Sequence, residues 1–156
     1  MRRMRSAGID AFGDDVRLLE LAAPGSPAPD EVVISVHAAG VGSWDEIVRV
    51  GEWDVGRRPP LVLGVEAAGV VAAVGEDVTS FVPGDDVLTH PLPLRHQGAW
   101  AERLVAPAAL VAPKPAPVPL GRRGRVRCRH SPRTRRSPRS HQPPPGSGSL
   151  CTAPAA

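Results

Sequence analysis

Two carboxylates and a hydroxyl stand where chemistry is possible. Glu66 lies between Val65 and Ala67 inside the apolar run Leu61 to Val74, and a carboxylate among apolar neighbours needs a partner. Ser43-Trp44-Asp45-Glu46 is a capping-box spelling, in which the Ser hydroxyl and the Glu carboxylate satisfy two helix N–H groups reciprocally. Asp45 falls in the first turn of that helix, where its charge suits the dipole. Metal chemistry is poorly supplied. His37, His90 and His96 are isolated, His130 and His141 lie near the C-terminus, and the two cysteines, Cys128 and Cys151, have no CxxC spacing. Neither a zinc ligand set nor a disulfide framework follows from that pattern.

The elements that must position these residues are mostly strands. Short apolar runs alternate with turn residues, the rhythm of a β domain. Strands are expected at Arg5 to Ile9, Val16 to Ala22, Glu31 to Ala39, Asp86 to Thr89 and Gly98 to Val105. Glu31 to Ala39 sets Val32, Ile34 and Val36 against Val33, Ser35 and His37, the alternation of a half-buried strand. Capping places a short helix over Trp44 to Val50, stopped at Gly51. The glycines at 64 and 69 break the long run Leu61 to Val74 and mark bends or close backbone approach.

Composition divides the chain. It has 156 residues, 42% hydrophobic and 22% charged, with net charge +3, the size of one domain. The charge is unevenly placed. Residues 1–120 hold ten Arg and Lys against all 16 carboxylates, or −6, whereas residues 121–156 hold nine Arg and no acid, or +9. That last segment also has six Pro, both cysteines and only Val126 and Leu150 as branched aliphatics, too little apolar surface to offset the entropy of ordering it. A disordered basic tail is expected over 116–156, after a domain at 1–115. No run approaches the roughly 18 apolar residues of a membrane span, and Met1 to Asp10 has no signal-peptide core. The expectation is a cytoplasmic protein with no membrane partner.

One ordered series of motifs carries a resemblance. Leu63-Gly64-Val65-Glu66-Ala67-Ala68-Gly69-Val70-Val71, then Val74-Gly75, Val78, Phe81, Pro83-Gly84-Asp85 and Val87, resembles the central block of medium-chain dehydrogenase/reductases, G-x-E-x-x-G-x-V followed by V-G and PGD-x-V. Val36-His37-Ala38-Ala39-Gly40-Val41 is similar to the family's strand into the active site, and Gly98-Ala99-Trp100-Ala101-Glu102 to its G-A-[WY]-A-E segment. The resemblance implies a mainly β, GroES-like, partly open barrel with one or two short helices. Zinc alcohol dehydrogenases have His where Val65 stands and Cys near Gly42-Ser43, so the resemblance implies a zinc-independent branch similar to quinone oxidoreductases and enone reductases. That branch's N-P-x-D is Gly42-Ser43-Trp44-Asp45 here, with only the Asp kept.

The implied reaction is hydride transfer from NADP(H) to a quinone or an enone, with the substrate oxygen polarised by hydrogen-bond donors in place of a metal. By position, Gly42, Ser43, Asp45 and Glu66 would line the substrate cleft, with Trp53 or Trp100 as stacking surfaces. Each has a structural alternative: Ser43 as a cap, Asp45 as a dipole partner, Trp100 as core. In the family NADP(H) lies on a Rossmann domain through which relatives usually form homodimers. The chain has no glycine fingerprint following a strand, since Gly146-Ser147-Gly148 follows three prolines. Back-translating Leu150 to Ala156 and moving the frame back one nucleotide permits V-H-G-A-G-G, the start of such a turn. The expectation is a frameshift around Ala116 to Gly124, readable in the genomic DNA, that leaves an N-terminal fragment with little catalysis alone. The rival readings are a non-catalytic GroES-like scaffold and incidental, salt-dependent nucleic-acid attraction by the nine Arg; no aromatic or recognition helix in the tail supports specific binding.

Overall fold

The computed structural model describes residues 3–115; the expected tail over 116–156, with its proposed out-of-frame origin, lies outside the described residues. Eight strands form two antiparallel sheets. The first sheet contains β1 (Arg3–Ile9), β2 (Arg17–Ala22) and β4 (Leu61–Val62) in the order β2-β1-β4. The second contains β3 (Glu31–Ala39), β5 (Ala67–Val74), β6 (Asp86–Thr89), β7 (Arg103–Pro107) and β8 (Val111–Pro113) in the order β7-β3-β5-β6-β8. Both sheets are open, so the mainly β, partly open architecture is as expected. One helix, α1 (Ser43–Arg49), and a single 3-10 turn (Ala108–Leu110) complete it.

The apolar run Leu61 to Val74 is shared between the two sheets. Leu61 and Val62 pair with Ile9 and Gly8 of β1, whereas Ala67 to Val74 pair with β3. Between them Gly64 takes φ +87°, a left-handed turn that an L side chain adopts only under strain. Two bulges shape the β3–β5 pair: the register slips between Val33 and Ile34, leaving Ala72 extra in β5, and between Val36 and Ala38, leaving His37 extra in β3. A bulge bends its strand and re-aims the chain beyond it, here the segment that leads from β3 to α1.

Strand β7 is shorter at its start than the sequence pattern predicts. Gly98 to Trp100 instead run beside the β4 exit: Gly98 N–H donates to Val62 O, Trp100 N–H to Leu63 O and Ala99 N–H to Gly64 O. Ala101 makes only an isolated bridge to Ser6. The Pro83-Gly84-Asp85 corner closes as expected, with Asp85 N–H donating to Val82 O at 3.2 Å and Val82 N–H to Asp85 Oδ2 at 2.9 Å.

The core lies in three clusters. Ile9, Val48, Val55, Leu61, Leu63, Val65 and Leu94 pack α1 against the first sheet. Val32, Ile34, Val71, Phe81, Val87 and Ala106 line the second sheet, and Ala67, Ala99 and Leu104 form a smaller group beside it. The loop before β7 is pinned by charge: His96 Nε2 lies 3.0 and 3.1 Å from the two carboxylate oxygens of buried Glu31, and Arg95 donates to Asp30 at 2.8 Å. Among the described residues no helix is long and apolar enough to cross a membrane.

Candidate functional site

The bulged end of β3 delivers the chain into α1, and the helix begins one residue earlier than its capping-box spelling predicts. Gly42, not Ser43, is the N-cap; Asp45 is the N3 residue, and its Oδ2 accepts the Gly42 N–H at 2.8 Å. The reason is competition for Glu46. Its carboxylate is taken by Arg49 at 2.7 Å, and Arg49 also donates to the carbonyls of Gly13 and Asp14. Ser43 is left exposed, with no capping bond from its hydroxyl.

Asp45 is the unusual group. Its residue is 3% exposed, and its second oxygen, Oδ1, is buried with no hydrogen-bond partner. Burial raises the Asp45 pKa above the ordinary carboxylate value; N–H groups of Gly42 and Gly64 hold it down in part, and the nearby Glu66 charge pushes it further up. The two carboxylates therefore share one site, although 20 residues and two loops separate them in sequence.

Glu66 sits on the backbone of Gly40, where a Cβ would stand 2.6 Å from its Oε2. The Gly40 N–H donates to Glu66 O at 3.1 Å. The Glu66 side chain is 25% exposed, and His90 Nδ1 lies 3.8 Å from its Oε1. Of the expected aromatics, Trp53 is exposed and makes no contribution to this cluster that the structure records. Trp100 packs against the core of the first sheet and donates its indole N–H to Gly40 O at 2.8 Å. The structure thus brings Gly42, Asp45 and Glu66 together with three residues the sequence did not single out as one group: Gly40, Gly64 and His90. The glycines flanking both motif strands were the available signal. An open groove of about 480 Å³, lined in part by Trp100, is walled by Ala7, Leu18, Val36, Ala39 and Val41.

Among the described residues no three His, Cys, Asp or Glu side chains are placed to hold a metal ion, and the position of the zinc family's His is occupied by Val65, 2% exposed in the core. Nor do the described residues include a strand, glycine turn and following helix able to seat a dinucleotide, α1 having seven residues preceded by an extended Gly42.

The buried Asp45 carries a pH signature. Its folded-state pKa is raised, so between the unfolded and the folded value the native state holds a proton that the unfolded chain has released. Its cost is therefore absent below the unfolded value of 3.8 and fully present above the raised folded value. Asp45→Asn, which keeps an oxygen for the Gly42 N–H, is expected to stabilise the fold by about 1 kcal/mol at pH 7. The gain should shrink toward zero as denaturation midpoints are followed down to about pH 3.5.

Comparison with known proteins matches this geometry to a family. Residues 28–116 match the alcohol dehydrogenase GroES-like domain. The synaptic vesicle membrane protein VAT-1 homolog of Rattus norvegicus is 38% identical over 111 residues, covering 68% of this chain and 26% of that protein. The quinone oxidoreductase of Sus scrofa is 43% identical over 63 residues, covering 40% of this chain and 19% of that protein. The crystal structure of a human VAT-1 homolog-like protein superposes with a TM-score of 0.68 at 32% identity, over 76% of this chain and 38% of that one. The chain thus spans about a quarter of the length of the curated relatives it matches. By its matched residues, its two open sheets and the motifs that meet at Gly40, Gly64 and Glu66, the chain belongs to the alcohol dehydrogenase GroES-like domain family of medium-chain oxidoreductases, carrying the N-terminal part.

Proposed function

We propose that this domain is the substrate-side wall of a zinc-independent, NADPH-dependent oxidoreductase that reduces quinones or enones in the cytoplasm. The observation that carries the reading is the paired site itself. A buried carboxylate with a raised pKa and an unpaired oxygen stands beside a second, partly exposed carboxylate on the segment that leads into β5. Such perturbed groups collect at functional sites. NADPH would supply the hydride, and the described residues do not themselves bind it. What they offer is polarity at the substrate oxygen: the exposed Ser43 hydroxyl can donate a hydrogen bond, and the partly exposed Glu66 carboxylate lines the same wall. Asp45, sealed from solvent, holds the Gly42 N–H through Oδ2 and so fixes the turn that carries Ser43.

Zinc independence is read from Val65, which stands buried where the resemblance to zinc alcohol dehydrogenases puts a histidine. Calorimetric titration of the 156-residue chain with a water-soluble quinone, with and without EDTA, tests the reading. Saturable binding of equal affinity in both is expected. Binding abolished by the chelator would overturn zinc independence, and no saturable heat in either would overturn the substrate assignment.

A further inference from the structure

We propose that Trp100 is a positioning residue: its indole N–H, held on the Gly40 carbonyl, sets the turn that presents Gly42, Ser43 and Asp45 opposite Glu66. The functional part of this inference rests on the substrate reading above; the positioning itself does not.

The geometry points to a clamp across three chain segments. Trp100 belongs to the segment that runs beside the β4 exit, donating its backbone N–H to Leu63 O at 2.9 Å and returning its carbonyl to Ala7 N–H at 2.7 Å. Its main chain is therefore fixed at both faces. From that fixed base the indole N–H reaches Gly40 O at 2.8 Å, and the ring edge covers Gly64, where a Cβ would fall 2.3 Å from Cδ1. Gly40 in turn donates to Glu66 O and supports the Glu66 carboxylate on its open side. One side chain thus ties the β3 exit to the Gly64–Glu66 segment.

The bond has few substitutes. The bulge at His37 is followed by regular pairing between β3 and β5 only as far as Ala39–Ala67, so beyond it the β3 exit has the Gly40–Glu66 bond and the Trp100 bond before α1 begins. A packing role would need only the ring, whereas the N–H is directed at a backbone acceptor two residues before the N-cap. Trp44 and Trp53, exposed at 41% and 36%, have no comparable bond.

The test separates positioning from bulk. Trp100→Phe keeps an aromatic ring and removes the donor. Amide exchange measured by NMR on the full 156-residue chain should accelerate about fivefold to tenfold at Gly40 and Gly42, the scale of one lost hydrogen bond. Amides of Val32, Val33 and Leu104 in the second sheet should stay within about twofold. The Asp45 carboxyl titration, followed by carbon-13 shifts, should move in the same variant and stay in place in Trp53→Phe. Equal acceleration across the whole sheet would make Trp100 a stability residue only, and no change at Gly40 or Gly42 would show the bond to be dispensable; either result overturns the proposal. If the exchange pattern appears but wild-type chain binds no quinone, the positioning stands and the substrate reading fails.

Discussion

Gly64→Ala is expected to lower the melting temperature by roughly 10–20 °C, a large loss for a single added methyl. Two costs combine at this position. The φ of +87° is left-handed, where a Cβ is strained. The added methyl would also stand 2.3 Å from Trp100 Cδ1 and 2.9 Å from the Trp100 backbone nitrogen. The ring could rotate away, but the nitrogen cannot, because Trp100 is bonded through its main chain to Leu63 and Ala7. Together strain and overpacking should cost about 3 kcal/mol, a large share of the stability of a domain this size. A thermal melt followed by circular dichroism checks it, and a variant melting within a few degrees of wild type would show that the Gly64 turn is free to re-form.

The same turn shows how far the sequence could be read. The turn residues located β1, β2 and β6 to within two residues, and β3 has the expected bounds, but its half-buried alternation is not what the structure shows: Glu31 to Ile34 are buried on both faces, between β5 and β7. The single apolar run Leu61 to Val74 hid two strands belonging to different sheets. Period cannot reveal that: Leu61 to Val65 are buried without a break, and β5 carries apolar residues on both its buried and its half-buried face. Gly98 to Trp100 looked like strand and instead follow the β4 exit by three backbone bonds to residues over 30 positions away. Strand β8, three residues ending in Pro113, is an edge strand too short to carry a pattern.

The candidate site was partly legible. Gly42, Asp45 and Glu66 could be named from the motif spelling, and Glu66 from its apolar neighbours. The reach of Asp45 back to Gly42 was missed, because the Ser43–Glu46 spelling fits a capping box equally well and only the tertiary pairing of Glu46 with Arg49 decides between them. Nor could spacing show that Asp45 is buried with one oxygen unpaired, or that His90 approaches Glu66. Those facts arise where β3 and β6 end beside the start of β5.

The second large effect concerns turnover. The 156-residue chain, mixed with NADPH and a quinone, is expected to show no reduction above the rate of the two reagents in buffer, by absorbance at about 340 nm, where the reduced nicotinamide of the cofactor absorbs. Holding donor and acceptor in reacting geometry is worth effective molarities of roughly 10⁵–10⁸ M, and that advantage requires a surface that seats the dinucleotide. The described residues include no strand, glycine turn and helix of that kind, and the sequence after them spells no complete G-x-G-x-x-G. Polarisation of the substrate oxygen by the Ser43 hydroxyl could accelerate a bound encounter, but the hydride donor is not held. NADPH oxidation at ordinary enzymatic rates, of order 1–10³ per second, would contradict this and would require a nucleotide site that the chain's motifs do not spell.

The surface outside the site offers a competing location. Leu18 and Val41, 78% and 80% exposed, form the lips of the groove walled by Ala7, Val36 and Ala39, and an apolar ring could settle there without meeting either carboxylate. Binding alone therefore does not test the assignment; its place does. The direct measurement is an NMR titration of the nitrogen-15-labelled 156-residue chain with a water-soluble quinone. If the paired carboxylates mark the substrate wall, saturable amide shifts will concentrate at Gly42 to Asp45 and Gly64 to Glu66, which do not line the groove. Shifts confined to the groove residues Ala7, Leu18, Val36, Val41 and Trp100, or no saturable shifts at all, would contradict that assignment.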